Sequence, residues 1–315
     1  MRILVTGTTG YVGSRLAPRL AREGHYVRGL SRREPESDEL WTPGDLNGAG
    51  PAETVVADAV SGDGLQTALD GIDVAYYLIH SMEPAAHGAF EAKERLAAVN
   101  FGRAAKAAGV QRIVYLGGLV PAEGPASAHL ASRLEVERVL LAACPASVAF
   151  RASIVIGAGS RSFRFLVRLV ERLPVMAVPA WHSHVTRPID ERDVIELLAR
   201  AADSDAVSGE SLDVCGPDTV SYGDLIDRIR HHMLVDRPTI RFRRLTVTPI
   251  ASRVSAVIAG EEYALIGPLM GSLGDDLLPR DDRAAELLGV RLHTLDAAIE
   301  RALREWEEHE PLAAR

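Results

Sequence analysis

VTGTTGYVGSRL, residues 5–16, places three glycines between an apolar strand and the start of a helical pattern. Gly7 permits a tight turn directly after the strand. Gly10 has no side chain, so a pyrophosphate can approach the backbone. Gly13 lets the helix pack closely on what lies beneath it. The helix begins immediately after Gly10, so its first N–H groups and the positive end of its dipole face the same spot. Thr9, Tyr11 and Val12 complete the rim of that spot. A glycine triad alone is weak evidence; here it has the strand, the helix and the surrounding pattern that a dinucleotide cradle needs.

Outward from this stretch, strand and helix alternate. Short apolar runs occur at 2–7, 26–30, 54–57, 73–79, 112–118 and 147–157. Helical patterns lie at 11–22, about 86–108 and 127–143. Apolar strands without clean alternation are buried on both faces, as in a parallel sheet. The chain therefore reads as α/β, a Rossmann-type doubly wound parallel sheet. After Gly157 the pattern changes to a helix over RSFRFLVRLVERL, a Pro-rich stretch at 173–184, a short strand at 185–189, a helix at 190–203 capped by Asp190, and a further strand at 211–216. The expected organisation is a dinucleotide-binding domain over 1–157 and a smaller, mostly helical substrate lobe over 158–315, with segments near 185–216 returning to the sheet.

Composition narrows the partners. Of 315 residues, 47% are hydrophobic and 25% charged, enough for a sizeable core and ordinary for a soluble globular protein. A net charge of −8 argues against nucleic acid. The only cysteines, Cys144 and Cys215, have no metal-type spacing and suit a reducing cytoplasm. No metal site is expected. The first strand pattern starts at Arg2, which predicts no signal peptide. The apolar stretch 254–273 is broken by Glu261 and Glu262 and makes a poor spanning helix. With no association signal, a monomer or weak homodimer is the default.

The end of the second strand chooses the cofactor. A carboxylate there would hold the ribose 2′-hydroxyl of NAD(H). This chain has Ser31, Arg32 and Arg33 instead, and guanidinium groups pair well with a 2′-phosphate, so NADP(H) is favoured over NAD(H). Asp58, after the third strand, either accepts from the adenine amino group or caps the next turn. Leu78 and Ile79 end the fourth strand and His80 and Ser81 follow it, at the carboxyl end of the sheet where ligands lie in doubly wound folds.

TGTTGYVG, the SRR turn, YYLIHSM, VNFGRAAKAAGV and RIVYLGGL together resemble the extended and atypical short-chain dehydrogenase/reductase superfamily. HLASR, VTRPIDERDV and VCGPDTVSYGDLI resemble its NmrA-like, NAD(P)H-binding subgroup, often labelled nucleoside-diphosphate-sugar epimerase-like. The resemblance implies a bound NADP(H) and a substrate lobe closing over the nicotinamide. Active members of the superfamily use a serine with Tyr-x-x-x-Lys on the helix after the fifth strand. Here Gly117 and Gly118 stand near the serine position, His129 at the tyrosine and Arg133 at the lysine. On the same ground Ser153 and Ile154 border the nicotinamide and Arg187 the substrate cleft, while Ser81 at the strand end and His184 in the inter-lobe stretch WHSHVTR are read as lining the substrate pocket.

His129 and Arg133, four apart, share one helical face. A histidine titrates near neutrality and needs no cation to activate it. Arg133 and the helix N-terminus both disfavour imidazolium, so a mainly neutral His129 is expected. Arg133 can bind ribose hydroxyls or an anion but cannot share a proton as lysine does. His80 is the other candidate acid. Arg161, Arg164, Arg168 and Arg172 form a basic stripe, read as a solvated helix face. The leading expectation is an NADPH-dependent reductase of a small organic carbonyl, enone, quinone or imine-like molecule. The alternatives are a non-catalytic NADP(H) sensor and, third, a sugar-nucleotide epimerase, whose chemistry leans on the absent tyrosine.

Overall fold

Seven strands lie parallel in one sheet, and the chain builds it outward in two directions from the strand that feeds the glycine loop. A computed structural model describes residues 1–33, 51–79, 89–121, 128–172, 176–178, 180–235, 239–241, 275–310 and 312. The elements of the first half are β1 (Arg2–Thr6), α1 (Tyr11–Arg22), β2 (Tyr26–Ser31), β3 (Glu53–Val56), α2 (Leu65–Leu69), β4 (Val74–Tyr77), α3 (Ala89–Ala107), β5 (Arg112–Gly118), α4 (Ala128–Ala143) and β6 (Val148–Ala152). Next come β7 (Val155–Ile156), α5 (Arg161–Arg172), β8 (Met176–Val178), β9 (Val185–Thr186), β10 (Ile189–Asp190), α6 (Glu191–Arg200), β11 (Ser211–Val214), β12 (Val220–Ser221), α7 (Tyr222–His232) and β13 (Thr239–Arg241). Two further helices follow, α8 (Ala284–Leu287) and α9 (Leu295–Glu307).

The sheet order is β11-β6-β5-β4-β1-β2-β3. From β1 the chain steps through β2 to β3, then crosses back to place β4 on the other side of β1. The crevice between β1 and β4 is the point where the winding reverses, and ligands of such sheets bind outside the strand ends there. Thr6 secures this junction: its Oγ1 accepts from the Leu78 N–H at 2.8 Å. The doubly wound α/β expectation holds.

Each sheet face has its own core. Helices α2, α3 and α4 bury Leu65, Phe101, Val136 and Leu140 against Leu4, Ala75, Tyr77 and Tyr115. On the opposite face α1 and α6 bury Leu16, Leu20, Val194 and Leu198 against Ile3, Val5, Tyr76 and Phe150. The second core also takes in Leu212 and Val214 of β11 and Ala284 and Leu288. A third core joins α5, α7 and α9 through Phe163, Phe165, Tyr222, Ile229, Leu303 and Trp306.

Two readings of the sequence change. The apolar run 147–157 is not one strand but β6 and β7, with Ser153 and Ile154 between them. There the chain changes partners: the Ser153 N–H donates to Val214 O at 3.1 Å, and Ile154 O accepts from Ile189 N at 2.9 Å. β7 then pairs with β10 instead of continuing the main sheet. β12 pairs antiparallel with β9, and β13 parallel with β8. The arginine stripe is solvated only at its two ends, where Arg161 and Arg172 are exposed. Arg164 and Arg168 lie over the Trp306 ring at 4.4 and 4.9 Å, and Arg168, only 9% exposed, pairs with Glu171 and Glu310. Arg164 and Arg168 bind α5 to α9 through cation–π and ionic contacts.

Candidate functional site

The loop between β1 and α1 has the shape that its glycines predict. Gly7 adopts φ +66°, a left-handed conformation that favours glycine. Its carbonyl accepts from the Gly10 N–H at 2.9 Å, closing the turn. A Cβ on Gly13 would stand 2.8 Å from the Gly7 carbonyl carbon and 3.1 Å from Thr8 Cα, so α1 sits directly on the turn and only glycine fits. A Cβ on Gly10 would lie 3.1 Å from Gly7 O. Gly10 caps α1 without a side-chain hydrogen bond, so no local side chain competes for the first N–H groups of the helix. The cradle opens at the β1/β4 crevice, beside Leu78 and Ile79 at the end of β4. Leu78 is buried and Ile79 half-buried.

At the carboxyl end of β2, Ser31 Oγ accepts from the Arg33 N–H at 3.4 Å, and Arg32 and Arg33 are exposed. Asp58 caps its own turn: Oδ1 accepts from Val60 N at 2.6 Å and from Ser61 N at 3.3 Å.

Arg133 stands on α4, one turn beyond His129, and is buried at 5% exposure. Its guanidinium meets Glu94 of α3 at 3.1 Å, and Ser132 Oγ donates to the same carboxylate at 2.7 Å. Burial pushes the Glu94 pKa up, while Arg133 and Ser132 pull it down. The sequence reading treated Arg133 as a lone cation beside His129. Glu94 offsets that charge. Tyr115, on β5, donates to Arg133 O at 3.4 Å, and burial drives its pKa up to about 12. The Tyr115 ring occupies the space a side chain at Gly117 would need, with Cε1 2.9 Å from an added Cβ. Gly117 therefore leaves room for a buried phenol where the superfamily pattern has a hydroxyl. The His129 side chain, His80 and Ser81 lie outside what is described.

At the end of β6, Ser153 Oγ and Thr186 Oγ1 share a buried hydrogen bond of 3.2 Å. Ile154 packs against the core formed by α5, α7 and α9. Arg187 Nε donates to Gly216 O at 2.9 Å, and its Nη1 lies 3.1 Å from Asp282. These contacts set Ser153 and Arg187 at the carboxyl ends of β6 and β11, the same edge as the cradle. His184 Nδ1 lies 3.1 Å from Asp276 on an exposed surface. Backbone and side-chain hydrogen bonds from Val185 and His184 hold Asp276 below the ordinary carboxylate range. Burial raises the Cys215 thiol to about 12, against the pull of Arg187.

Sequence reasoning missed one constellation. Tyr11 turns its phenol away from the cradle onto Glu191, the first residue of α6. Arg15 joins Glu191 to Glu305 of α9, at 2.5 Å to each. Tyr11 thus borders the cradle through its backbone, not its ring. No signal in the sequence pairs residues so far apart. Glu94 was missed for the same reason. Among the described residues no group of three or more His, Cys, Asp or Glu could hold a metal, and no helix is long and apolar enough to cross a membrane.

Known proteins agree with this architecture. A 3-beta-hydroxysteroid dehydrogenase of Mycolicibacterium neoaurum is 34% identical over 122 residues, 36% of this chain and 31% of that protein. A ceramide reductase of Caulobacter vibrioides is 28% identical over 197 residues, 62% of this chain and 60% of that protein. The chain thus spans between about a third and three-fifths of these curated relatives. Among solved structures, a nucleoside-diphosphate-sugar epimerase from Staphylococcus aureus superposes with a TM-score of 0.74 at 15% identity, covering 95% of this chain and all of that one (100%). A UDP-glucuronic acid 4-epimerase from Bacillus cereus, solved with NAD, gives 0.72 at 16% identity, covering 98% and 97%. At such identities the structures establish the fold. Residues 1–192 match the NmrA-like family, which is well over half of the chain, and this protein belongs to that family.

Proposed function

We propose that this chain is an NADP(H)-dependent reductase acting on a small, hydrophobic carbonyl, enone, quinone or imine-like molecule. The observation that carries the reading is the glycine cradle at the β1/β4 crevice, where a Cβ at Gly13 has no room and exposed Arg32 and Arg33 end the neighbouring strand. The residues fit a dinucleotide: N–H groups of α1 for the pyrophosphate, Ser31, Arg32 and Arg33 for a 2′-phosphate, Asp58 for the adenine edge, and Leu78, Ser153 and Ile154 along the far half. NAD(H) is the second choice. NADPH, when bound, supplies a hydride.

The chain's own residues would orient the partners and keep water out. His129 is the proposed proton donor, with His80 as its alternate. Arg133, neutralised by Glu94, would offer hydrogen bonds to a ribose instead of net charge. Ser81, His184 and Arg187 would line the substrate side. The names of the curated relatives, a hydroxysteroid dehydrogenase and a ceramide reductase, support a hydrophobic substrate over a sugar nucleotide. We assign residues 1–157 to the dinucleotide domain and 158–315 to the substrate lobe, with segments near 185–216 returning to the sheet. We place the protein in the reducing cytoplasm as a monomer or weak homodimer; buried free thiols at Cys144 and Cys215 accord with that.

A second reading, a non-catalytic NADP(H) sensor, draws on Tyr115 filling the space beside Gly117 and on Arg133 being committed to Glu94. One assay divides the two. NADPH absorbance is followed with a panel of quinones, enones, imines and ketones, using wild type and His129→Ala. Turnover that disappears in His129→Ala, with NADPH binding retained, supports the reductase. Tight NADPH binding without oxidation by any compound rejects it in favour of the sensor.

A further inference from the structure

We infer that Glu191 is a positioning residue for the dinucleotide cradle: through Tyr11 it fixes the first turn of α1, and through Arg15 and Glu305 it ties that turn to helix α9 of the lobe. This rests on the dinucleotide reading above and adds to it a coupling between ligand binding and the lobe.

Tyr11 follows Gly10 directly, so its backbone belongs to the turn whose N–H groups would meet phosphate. Its phenol points the other way and donates to Glu191 Oε2. The Glu191 side chain is only 5% exposed. Arg15, one helical turn further along α1, donates Nε to Glu191 Oε1 and Nη2 to Glu305 Oε1, each at 2.5 Å. The Arg15 guanidinium also lies over the Tyr11 ring, 4.8 Å from its centroid. On α9, Arg301 approaches Glu191 at 3.8 Å and Glu305 at 3.3 Å. Tyr11 and Arg15 of α1 and Arg301 of α9 therefore converge on one buried carboxylate, and Glu305 joins the cluster through Arg15 and Arg301.

The loop before α5 is shaped around this cluster. A Cβ on Gly159 would stand 2.6 Å from Tyr11 Cδ2, and one on Gly157 would meet the Tyr11 phenol and lie 3.0 Å from Glu191 Cβ. Ala158, between them, belongs to the lobe core with Phe163 and Trp306. The lobe thus touches the cradle's first turn through a loop whose glycines admit the Tyr11 ring, and through α9. A buried carboxylate with several hydrogen bonds is held firmly, because losing one partner leaves a desolvated group exposed to its full penalty. A shift of α1 on binding a dinucleotide is therefore transmitted to α9, and by reciprocity the order of α9 feeds back on affinity.

The test uses the full-length protein with NADPH as the probe. Wild type, Tyr11→Phe, Glu191→Ala, Glu191→Gln and Glu305→Gln are titrated by NADPH fluorescence. Hydrogen exchange is then followed over residues 295–307 with and without NADPH. Tyr11→Phe and Glu191→Ala should raise Kd about tenfold, the worth of one charge-assisted hydrogen bond, and Glu191→Gln, which keeps an acceptor for the phenol, less. NADPH should slow exchange across α9 in wild type. That protection should be lost in Tyr11→Phe and in Glu305→Gln. A merely structural role would lower the thermal midpoint of the apo protein but leave Kd and the exchange pattern unchanged, which overturns the inference. Tyr11→Phe guards against an unfolded Glu191→Ala, since it removes only one oxygen. A wild type that binds no dinucleotide sinks the dinucleotide reading and this inference together; wild-type binding with unaltered variants sinks this inference alone.

Discussion

Replacing Gly13 by alanine probes the cradle with a single methyl group. Gly13 has no positive φ, and alanine is the better helix former by about 1 kcal/mol, so the backbone itself favours the change. The packing opposes it. The new Cβ would stand 2.8 Å from the Gly7 carbonyl carbon and 3.1 Å from Thr8 Cα, about 0.7 Å inside a comfortable carbon–carbon contact in the first case. Both neighbours are backbone, so no rotamer change relieves the clash and α1 must lift off the turn. Overpacking of this kind costs about 1–3 kcal/mol, which leaves a net loss of about 0–2 kcal/mol after the helix gain. The effect on binding is larger. An N–H lifted by about 0.7 Å from a phosphate oxygen falls outside hydrogen-bond range, and one charge-assisted bond lost weakens NADPH about ten- to a hundredfold. Urea unfolding and NADPH fluorescence measure the two effects on one preparation. Gly24→Ala is the control. Gly24 has φ +84° and nothing within 4 Å of an added Cβ, so it should lose stability through strain while keeping Kd. A Gly13→Ala protein that binds NADPH as wild type does would refute the reasoning.

Three further outcomes follow from the site. Arg32→Ala and Arg33→Ala should each weaken NADPH about tenfold or more and leave NADH unchanged, since the lost partner is the 2′-phosphate; equal losses for both nucleotides would count against NADP(H) preference. Arg133→Ala strands Glu94, a carboxylate at 5% exposure, and should cost about 3–5 kcal/mol in urea unfolding, partly recovered by adding Glu94→Gln; a loss well under 1 kcal/mol would show that the pair is not a buried one. Burial raises the Glu191 pKa, against the pull of Arg15 and the Tyr11 hydrogen bond, with Glu305 adding to the rise and Arg301 opposing it. Between the ordinary glutamate value of about 4.3 and the raised folded value, the folded protein binds more protons than the unfolded chain. Stability therefore falls as pH rises through that window. Glu191→Gln should flatten this slope in urea midpoints taken at successive pH values, and an unchanged slope would assign it elsewhere.

The sheet was legible because its evidence is local. Strand, glycine turn and helix lie within residues 2–22, and the apolar runs repeat at βαβ spacing. The division of 147–157 into β6 and β7 was not, because both halves are apolar and the change of partner depends on Val214 and Ile189, which arrive later in the chain. The packing of Arg164 and Arg168 on α5 was not legible for a similar reason: periodicity says which residues share a face, not what covers it, and over these two the cover is Trp306 and Glu310. The cradle residues were found because glycine spacing reports backbone geometry directly. The environment of Arg133 was not, since a cation on a helix carries no mark of the carboxylate on the next helix. Tyr11 and Glu191 lie 180 positions apart, and each has an ordinary local role that hides the pairing.

The central claim is that the β1–α1 cradle, with Arg32 and Arg33 beside it, holds NADP(H). The most direct measurement is a fluorescence titration of the purified protein with NADPH and, separately, NADH. Saturable binding with NADPH preferred by about tenfold or more, worth one charge-assisted pair to the 2′-phosphate, is the predicted result. Binding of neither nucleotide, or tighter binding of NADH, would contradict it.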